Sequence, residues 1–362
     1  MIKPQNVFII GATGNVGRTL VSQIYEKDTN SNHQNPTRII GLASRTNFIF
    51  DSDRINEKTG KMFSNREFIG EWYTNKNRFL EVVKPLRRRV IFIDVTNGKK
   101  DMLDFHLFAR QLDYGIVTAN KNPLVDCNFE TFKELTKDVR RYGYRCSVMA
   151  GAEAVNKIRD LRDLGDTPIE ISGCFSGTLG YICSELEKGH KFSEIILKAK
   201  DLGYTEPNPS EDLSGDDVFK KILILARTAG YDPKKEDMKL NSFIPEKYLS
   251  NNLEKLIKNL TEFNLEFSND FSKALANNMT YRYIASFKLN GEQKIETGLK
   301  KVPRNSPLGS LNGTANKILI KTKEYDYLVE SPGAGPHITA QNIRRDLLDQ
   351  IDERVVNYQL TY

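Results

Sequence analysis

The first 150 residues alternate short apolar runs with longer amphipathic stretches. A continuous apolar run predicts a strand at residues 7–10, and largely apolar segments predict further strands at residues 38–43, 90–95, 115–118 and 144–149. Helical spacing follows the first strand and recurs over residues 129–141, whereas residues 47–83 are charged and show no clear period. Apolar strands that alternate with helices predict a doubly wound parallel sheet.

The pattern changes near residue 152. Helical spacing over residues 153–164, with Leu164 on the apolar side, ends at Gly165. Two more helices are predicted, one from its N-cap Ser193 to Gly203 and one over residues 252–263.

The second half also predicts several strands. They lie at residues 169–175, 280–289, 294–301, 316–322 and 326–330, with a hairpin turn at Asn290-Gly291. A glycine turn and a helix close the chain. We therefore predict a first domain over residues 1–150, an α+β domain with an open mixed sheet over 151–331, and a turn and helix over 332–362 that return to the first domain.

Composition excludes several classes of protein. A net charge of +6 without a basic stripe disfavours a nucleic-acid partner, and no apolar run is long enough to span a membrane. The chain enters a predicted strand almost at once, so we expect no signal peptide. Its four cysteines show no CxxC pair and its four histidines form no cluster, so we expect a cytoplasmic protein with reduced thiols and no zinc site.

A glycine-rich loop joins the first strand to the first helix. It contains Gly11, Thr13, Gly14, Asn15, Val16 and Gly17. Glycines let the backbone approach a pyrophosphate closely, and the helix N-terminus favours its negative charge. The GxxGxxG spacing in this context predicts a Rossmann-type dinucleotide site, and the alternative is a tight strand–helix turn.

The residues at the end of the second predicted strand indicate whether the cofactor is NADP(H) or NAD(H). The sequence there reads Ser44-Arg45, with no acidic residue to bind a ribose 2′-hydroxyl. Because an arginine fork matches phosphate oxygens, we favour NADP(H) and leave NAD(H) open. An ordinary solvated arginine is the alternative interpretation.

Two more candidates follow strands of the first domain. Thr96 and Lys121 come after the strands at 90–95 and 115–118, whose carboxyl ends border the ligand crevice in such sheets. A lysine near a nicotinamide could carry the proton that accompanies hydride transfer. The commoner fate of a loop lysine is the solvated surface.

The segment at residues 202–227 carries the densest set of charged candidates. Two prolines in TEPNP predict a turn, and Ser214 is the predicted N-cap of the helix that follows. Asp217 and Lys221 are four residues apart and share one helix face. Glu206 and Asp212 are placed on the loop before the helix. The acids and the lysine predict a pocket for a cationic, hydroxylated small molecule, and the alternative is a solvated, well-capped helix.

Motifs over nearly the whole chain resemble the homoserine dehydrogenase family. They are the glycine loop, TANK at 118–121, FSGTLGYI at 175–182, LGYTEPNPSEDLSGDDVFKK at 202–221 and PGAGPHITA at 332–340. The resemblance implies a nucleotide-binding domain joined to a catalytic and dimerisation domain. It also implies reversible NAD(P)-dependent interconversion of L-homoserine and L-aspartate 4-semialdehyde in threonine, methionine and isoleucine biosynthesis.

The resemblance assigns roles to the matching residues. Lys121, Lys221 and Asp217 are the implied catalytic residues. Glu206, Asp212, Gly177, Thr178 and Tyr204 are implied to bind the amino acid, and Thr96 and Gly335 to lie by the cofactor. The resemblance further implies a homodimer, and we expect no C-terminal regulatory domain.

One departure from the family concerns a sodium site. Cys146 stands where the family has a glutamate, and Ala154 where it has a proline. We therefore predict no confident metal site, and leave open a monovalent cation on the backbone carbonyls of Met149 and Gly151.

Two other functions compete with this interpretation. A phosphorylating semialdehyde dehydrogenase would need a nucleophilic cysteine, for which Cys127 and Cys146 are the candidates. A protein that senses NADP(H) without turnover would not need the lysines and Asp217.

Overall fold

The structure is a computed structural model that describes residues 4–29, 35–289 and 292–351. The chain forms two compact units, which are Met1–Gly151 with Gly335–Tyr362 (unit 1) and Ala152–Ala334 (unit 2). The assignment of a nucleotide-binding and a catalytic role to these regions stays a prediction. Within the described ranges, no helix has the length and apolar character needed to cross a membrane.

Unit 1 is built on a seven-stranded sheet. Its strands are β1 (Gln5–Ile10), β2 (Thr37–Ala43), β3 (Asn47–Phe50), β4 (Glu71–Trp72), β5 (Val90–Asp94), β6 (Gly115–Thr118) and β7 (Tyr142–Gly143). Their order is β4-β3-β2-β1-β5-β6-β7. The last five in this order run parallel, and β3 and β4 add an antiparallel edge. The predicted doubly wound parallel sheet is confirmed.

Helices cover both faces of this sheet. They are α1 (Asn15–Gln23), α2 (Glu57–Ser64), α3 (Asn77–Val83), α4 (Lys100–Gln111), α5 (Asn122–Val125), α6 (Phe129–Thr136) and α14 (Pro336–Asp349). Alternate residues of β1 face opposite ways: Val7 and Ile9 pack in an aliphatic core with residues of α1 and α14. Phe8 packs against the rings of Phe79 and Phe92 on the other side. Both faces of the sheet are therefore covered by apolar side chains at β1, as its apolar run predicted.

Two predictions in unit 1 were wrong. The strand predicted at 144–149 is replaced by tight turns at Arg145–Ser147 and Met149–Gly151. Arg145 is buried in ion pairs with Asp346 and Asp349 of α14, so this segment turns to meet the helix. The helix predicted over 129–141 ends at Thr136. Beyond it the amides of residues 141 and 142 donate to the Asp138 carbonyl, which closes a turn before β7.

Unit 2 holds a six-stranded mixed sheet. Its strands are β8 (Glu170–Cys174), β9 (Met238–Leu240), β10 (Met279–Leu289), β11 (Gln293–Pro303), β12 (Ala315–Lys321) and β13 (Asp326–Pro332), in the order β13-β12-β8-β10-β11-β9. β9 pairs with β11 in parallel, and the other pairs are antiparallel. The predicted open mixed sheet is confirmed. The predicted turn at Asn290-Gly291 lies outside the described residues.

The helices of unit 2 are α7 (Ala154–Asp163), α8 (Gly177–Glu187), α9 (Phe192–Asp201), α10 (Pro209–Ser214), α11 (Asp216–Thr228), α12 (Leu253–Thr261) and α13 (Asn264–Ala276). The apolar stripe predicted for α11 is confirmed, because Val218, Ile222 and Leu225 are buried. Leu164, by contrast, is 82% exposed and does not join the core. It follows the last turn of α7, where the chain reverses at Gly165 with a φ of 81°.

Both predicted serine caps were wrong. α9 begins at Phe192 with Lys191 as N-cap, and the Ser193 amide donates to the Asn264 side chain. Ser214 ends α10, and Gly215 with a φ of 75° is the N-cap of α11. Pro209 starts α10 because proline needs no amide partner at a first helical position. Asp212 therefore lies on a short helix and not on the predicted loop.

Candidate active site

The glycine loop of unit 1 is tightly packed. Gly11 has a φ of 93°, and a Cβ there would lie 3.0 Å from the Val95 carbonyl oxygen. A Cβ on Gly17 would lie 2.2 Å from the Gly11 carbonyl oxygen, so α1 can start this close to β1 only with glycine. Gly14 is the N-cap of α1 and contributes no side chain, which leaves the first-turn amides available to an anion. Thr13 and Val16 are half-buried and Asn15 is exposed.

Ser44 and Arg45 lie in the turn from β2 to β3. The Ser44 hydroxyl donates to the Asn47 carbonyl at 3.0 Å and accepts from the Asn47 amide at 3.1 Å, so it shapes the turn itself. Arg45 is exposed. Of the two predicted 2′-phosphate ligands, Arg45 has the more accessible side chain.

The carboxyl ends of β5 and β6 carry Thr96 and Lys121. A Cβ on Gly11 would come within 3.1 Å of the Thr96 methyl carbon, so the glycine loop and Thr96 are neighbours. Lys121 is half-buried at the N-cap of α5. Within unit 1 the predicted cofactor residues of the glycine loop and Thr96 therefore lie together.

Sequence reasoning missed Asp94 and Asn120 at the same edge. Asp94 is the last residue of β5 and is 1% exposed, and its carboxylate binds the Asn120 side-chain amide at 3.0 Å. An acidic residue at the end of an otherwise apolar run was the available signal, because buried carboxylates need partners.

Gly335 begins α14 in unit 1. Its φ of 138° is a backbone region open mainly to glycine. Its carbonyl accepts the Thr339 hydroxyl at 2.8 Å, which fixes the first turn of α14.

In unit 2 the predicted lysine–carboxylate pair is present. Lys221 is 8% exposed, and its Nζ lies 2.7 Å from an oxygen of Asp217. The same ammonium donates to the Phe175 carbonyl at 2.7 Å. Lys221 is therefore held between α11 and the end of β8, while Asp217 stays half exposed.

Asp212 and the segment before it form the second cluster of unit 2. One Asp212 oxygen accepts the Glu206 amide at 2.8 Å. Burial raises the pKa of Asp212 to about 6, and the charges of Glu206 and Asp217 add to this shift, while the hydrogen bond from the Glu206 amide opposes it. A carboxyl in such surroundings favours the approach of a cation.

The remaining predicted substrate residues surround this cluster. The Thr178 hydroxyl donates to the Tyr204 carbonyl at 2.5 Å, and Glu206 is exposed. Tyr204 is 43% exposed, with its ring edge against Tyr181. A Cβ on Gly177 would lie 2.9 Å from the Thr314 carbonyl oxygen, which explains a glycine at the start of α8.

The segment proposed for a cation has an unusual backbone. Met149, Ala150 and Gly151 all have positive φ, at 51°, 51° and 87°. The Cys146 thiol lies 3.5 Å from the Thr339 carbonyl oxygen, and burial raises its pKa well above the usual range. The position that carries a glutamate in the family therefore offers a neutral thiol. In the described ranges, no group of three or more histidine, cysteine or acidic residues could hold a metal ion.

Cys146, Cys174 and Cys183 are poor nucleophiles. All four cysteines are buried and form no disulfide in the described part of the chain. Burial raises the pKa of Cys174 and of Cys183 to about 12. Thiols held in the protonated state do not suit the thiolate chemistry of a phosphorylating semialdehyde dehydrogenase.

The fold and the glycine loop define a dinucleotide-binding α/β protein with a second, mixed-sheet unit. A family model described as homoserine dehydrogenase matches residues 154–348. The chain is 30% identical to a homoserine dehydrogenase of Emericella nidulans, over 73% of this chain and 76% of that protein. The chain belongs to the homoserine dehydrogenase family.

Two further comparisons define the extent of the match. The chain is 32% identical to bifunctional aspartokinase/homoserine dehydrogenase 2 of Escherichia coli (strain K12), over 85% of this chain but 38% of that protein. It thus spans less than half of the length of the bifunctional relatives it matches. A hyperthermophilic archaeal homoserine dehydrogenase, solved in complex with NADPH, superposes with a TM-score of 0.73 at 21% identity, covering 96% of this chain and 98% of that one. This likeness confirms the fold.

Proposed function

We propose that this protein catalyses the reversible NAD(P)-dependent interconversion of L-homoserine and L-aspartate 4-semialdehyde. The observation that carries the proposal is Lys221, a buried ammonium held by the Phe175 carbonyl and by the Asp217 carboxylate at 2.7 Å each. Burying a charged amine is costly unless it is paired, and an amine held in place by these two partners is positioned for proton transfer. Family membership supplies the reaction, and the lysine supplies the proton chemistry.

Carboxylates of unit 2 recognise the amino acid in this proposal. Asp212 and Glu206 bind the substrate ammonium, with Asp212 the stronger partner because it is partly buried. Gly177, Thr178 and Tyr204 shape the surroundings of the substrate. Thr178 supports this arrangement, because its hydroxyl joins α8 to the Tyr204 carbonyl.

Lysines carry the proton. In the oxidation, the carbinol C–H bond breaks with its electron pair and the hydroxyl O–H bond breaks to release a proton, which leaves a C=O double bond. The nicotinamide, when bound, accepts the hydride. In the oxidation, Lys221 or Lys121 must first be in its neutral amine form, which accepts the proton and becomes an ammonium. In the reduction the ammonium returns the proton while stabilising charge on the carbonyl oxygen. Asp217 orients Lys221 through their ion pair.

Residues of unit 1 hold the cofactor in this proposal. The glycine loop and the open first turn of α1 bind the pyrophosphate, and Thr96 and Gly335 border the nicotinamide end. We favour NADP(H) over NAD(H) because Arg45 is exposed at the end of β2 and no acidic residue stands beside it. The archaeal homoserine dehydrogenase of similar fold, solved in complex with NADPH, supports this choice.

The cellular compartment, the oligomeric state and the biosynthetic pathway are proposed from the family resemblance. We propose a cytoplasmic homodimer that acts in threonine, methionine and isoleucine biosynthesis. We do not assign a cation to the carbonyls of Met149 and Gly151, because Cys146 lacks the negative charge that would balance it.

The test is an assay of purified protein with L-homoserine and either NADP or NAD, followed by nicotinamide absorbance, and with L-aspartate 4-semialdehyde and the reduced cofactors in reverse. The proposal expects turnover in both directions and a higher kcat/KM with NADP. Arg45→Asp should reverse the cofactor preference, because a carboxylate binds a 2′-hydroxyl and repels a phosphate.

A protein that only senses NADP(H) is the outcome that would contradict the proposal. It would bind NADPH, as measured by a fluorescence titration, yet show no homoserine-dependent change in absorbance. Phosphate-dependent oxidation of the semialdehyde would instead point to cysteine chemistry.

A further inference from the structure

Asp94 is a buried carboxylate that the proposed reaction does not use directly. It ends β5 with 1% of its surface exposed. One of its oxygens accepts two donors of Thr96, the amide at 2.9 Å and the hydroxyl at 2.7 Å. The other accepts the Asn120 side-chain amide at 3.0 Å. A single side chain thus joins the loops that follow β5 and β6.

Asn120 extends this link in both loops. Its side-chain nitrogen also donates to the Gly98 carbonyl at 2.8 Å, and its oxygen accepts the Asn122 amide at 3.1 Å. The Asn122 amide belongs to the first turn of α5, whose N-cap is Lys121. The backbone on either side of Lys121 is therefore fixed through Asn120 to Asp94.

The network continues to the far edge of the sheet. His106 of α4 is fully buried, and its Nε2 lies 3.3 Å from the Asp94 oxygen that also binds Asn120. Its Nδ1 lies 2.9 Å from the hydroxyl of Tyr142 on β7. Four polar side chains from β5, α4, β7 and the loop after β6 thus meet in an otherwise apolar part of unit 1. His106 Nε2 is close to Asp94 without forming a hydrogen bond to it, whereas the hydrogen bonds of Asp94 with Thr96 and Asn120 are made. In such an apolar setting these bonds are strong, and they tie the two loops together.

We propose that Asp94 is the positioning residue of the cofactor edge: through Asn120 and Thr96 it holds the Lys121 loop and the Thr96 loop in the geometry that turnover requires. This inference rests on the proposed function of Lys121 and Thr96. Asp94 itself contacts neither substrate nor cofactor in this scheme, and it acts through the residues that it binds.

Asp94→Asn is the sharpest variant because it keeps the shape and removes the charge. An asparagine oxygen can still accept from Thr96, but its NH₂ group would then face the NH₂ group of Asn120, and two donors repel. We expect kcat for homoserine oxidation to fall about tenfold or more, with KM for homoserine changed less than about threefold, because the loss affects the reacting geometry and not ammonium recognition. Asp104→Asn on α4, an exposed acid paired with Lys100, is the matched control and should leave kcat unchanged.

A second readout does not depend on activity. Hydrogen exchange measured by mass spectrometry should show faster exchange in Asp94→Asn at the amides of residues 96, 98 and 122, and unchanged exchange in α11. Asn120→Ala should also show faster exchange at the amide of residue 122. This second variant tests the inference even if Asp94→Asn does not fold.

Each failure has a distinct signature. Wild-type protein without homoserine turnover would refute the proposed function and leave the exchange measurement as a test of the network. Normal kcat and normal exchange in both Asp94→Asn and Asn120→Ala would overturn the inference. Faster exchange with an unchanged kcat would show that Asp94 has only a structural role, and this outcome would also overturn the inference.

Discussion

Asp212 shows how one side chain links environment to function. Burial raises its pKa to about 6, well above the ordinary value of 3.8. The folded protein therefore favours the protonated carboxyl. This contribution to stability is complete below the ordinary pKa and is lost as the pH rises through about 6. Substrate binding demands the opposite state, because only the ionised carboxylate attracts an ammonium.

The kinetic prediction follows from this conflict. In wild-type protein, kcat/KM for homoserine should rise as the pH increases through about 6, since kcat/KM reports groups of the free enzyme. Asp212→Asn should lower kcat/KM at neutral pH and remove the rise in this range. Steady-state kinetics across the acid range check both points, and a rise that persists in Asp212→Asn would assign it to another group.

A glycine prediction also belongs to single residues. Gly17→Ala should destabilise unit 1 by about 1–3 kcal/mol, because its Cβ would lie 2.2 Å from the Gly11 carbonyl oxygen and force the backbone to shift. Gly14→Ala is the matched control, since its Cβ would be 3.4 Å from the same oxygen. Urea unfolding of the apoprotein measures both, and equal stability of the two variants would contradict the close packing.

Residue spacing predicted some side-chain contacts and not others. The Asp217–Lys221 pair followed from positions four apart on a helix, and the structure confirms it. Local sequence could not reveal that Lys221 also reaches the Phe175 carbonyl, or that Asp94 binds Asn120, because these partners are far apart in the chain. The Ser214 cap was wrong because Gly215 adopts the left-handed conformation that ends α10.

At the scale of elements, apolar runs in the sequence predicted the positions of strands reliably. They did not show where a buried charged residue would turn the chain away from the sheet. β1, β2, β5 and β6 lie where unbroken apolar residues predicted them. The segment at 144–149 was also predicted as a strand, but it contains Arg145 and Ser147, and it turns to pair Arg145 with α14 from the C-terminal part of the chain. Residues 47–83 form β3, α2, β4 and α3. Their sequence shows no clear hydrophobic period, and β3 is placed by its pairing with β2.

The anchoring of α14 gives an element-scale prediction. Arg145 binds Asp346 and Asp349 at 2.6 Å each, and Asp346 is buried. Arg145→Ala should cost about 3–5 kcal/mol of unfolding free energy, because it leaves a buried carboxylate without its partner. The double variant Arg145→Met/Asp346→Leu should be more stable than Arg145→Ala. Denaturant unfolding compares them, and a loss below about 1 kcal/mol in Arg145→Ala would refute the anchoring role.

At the scale of the whole molecule, alternation of strands and helices was enough to predict the doubly wound sheet, and β-patterns were enough to predict a mixed sheet after it. The oligomeric state stays a prediction from the resemblance. Edge strand β13 of unit 2 exposes Leu328, and Tyr325 precedes it with 69% exposure, a surface that suits burial against a second copy. Sedimentation velocity should give twice the chain mass, whereas monomer mass at micromolar concentration would overturn the dimer.

The most direct test of the account compares two adjacent lysines of α11. Lys221 is buried against the Phe175 carbonyl and Asp217, whereas Lys220 pairs with Asp216 at 2.7 Å on a more open face. With thermal melting to verify folding, kcat for homoserine oxidation should fall about 100-fold or more in Lys221→Ala and stay near wild type in Lys220→Ala. Equal, near-normal turnover in both variants would contradict the claim that the buried lysine carries the proton.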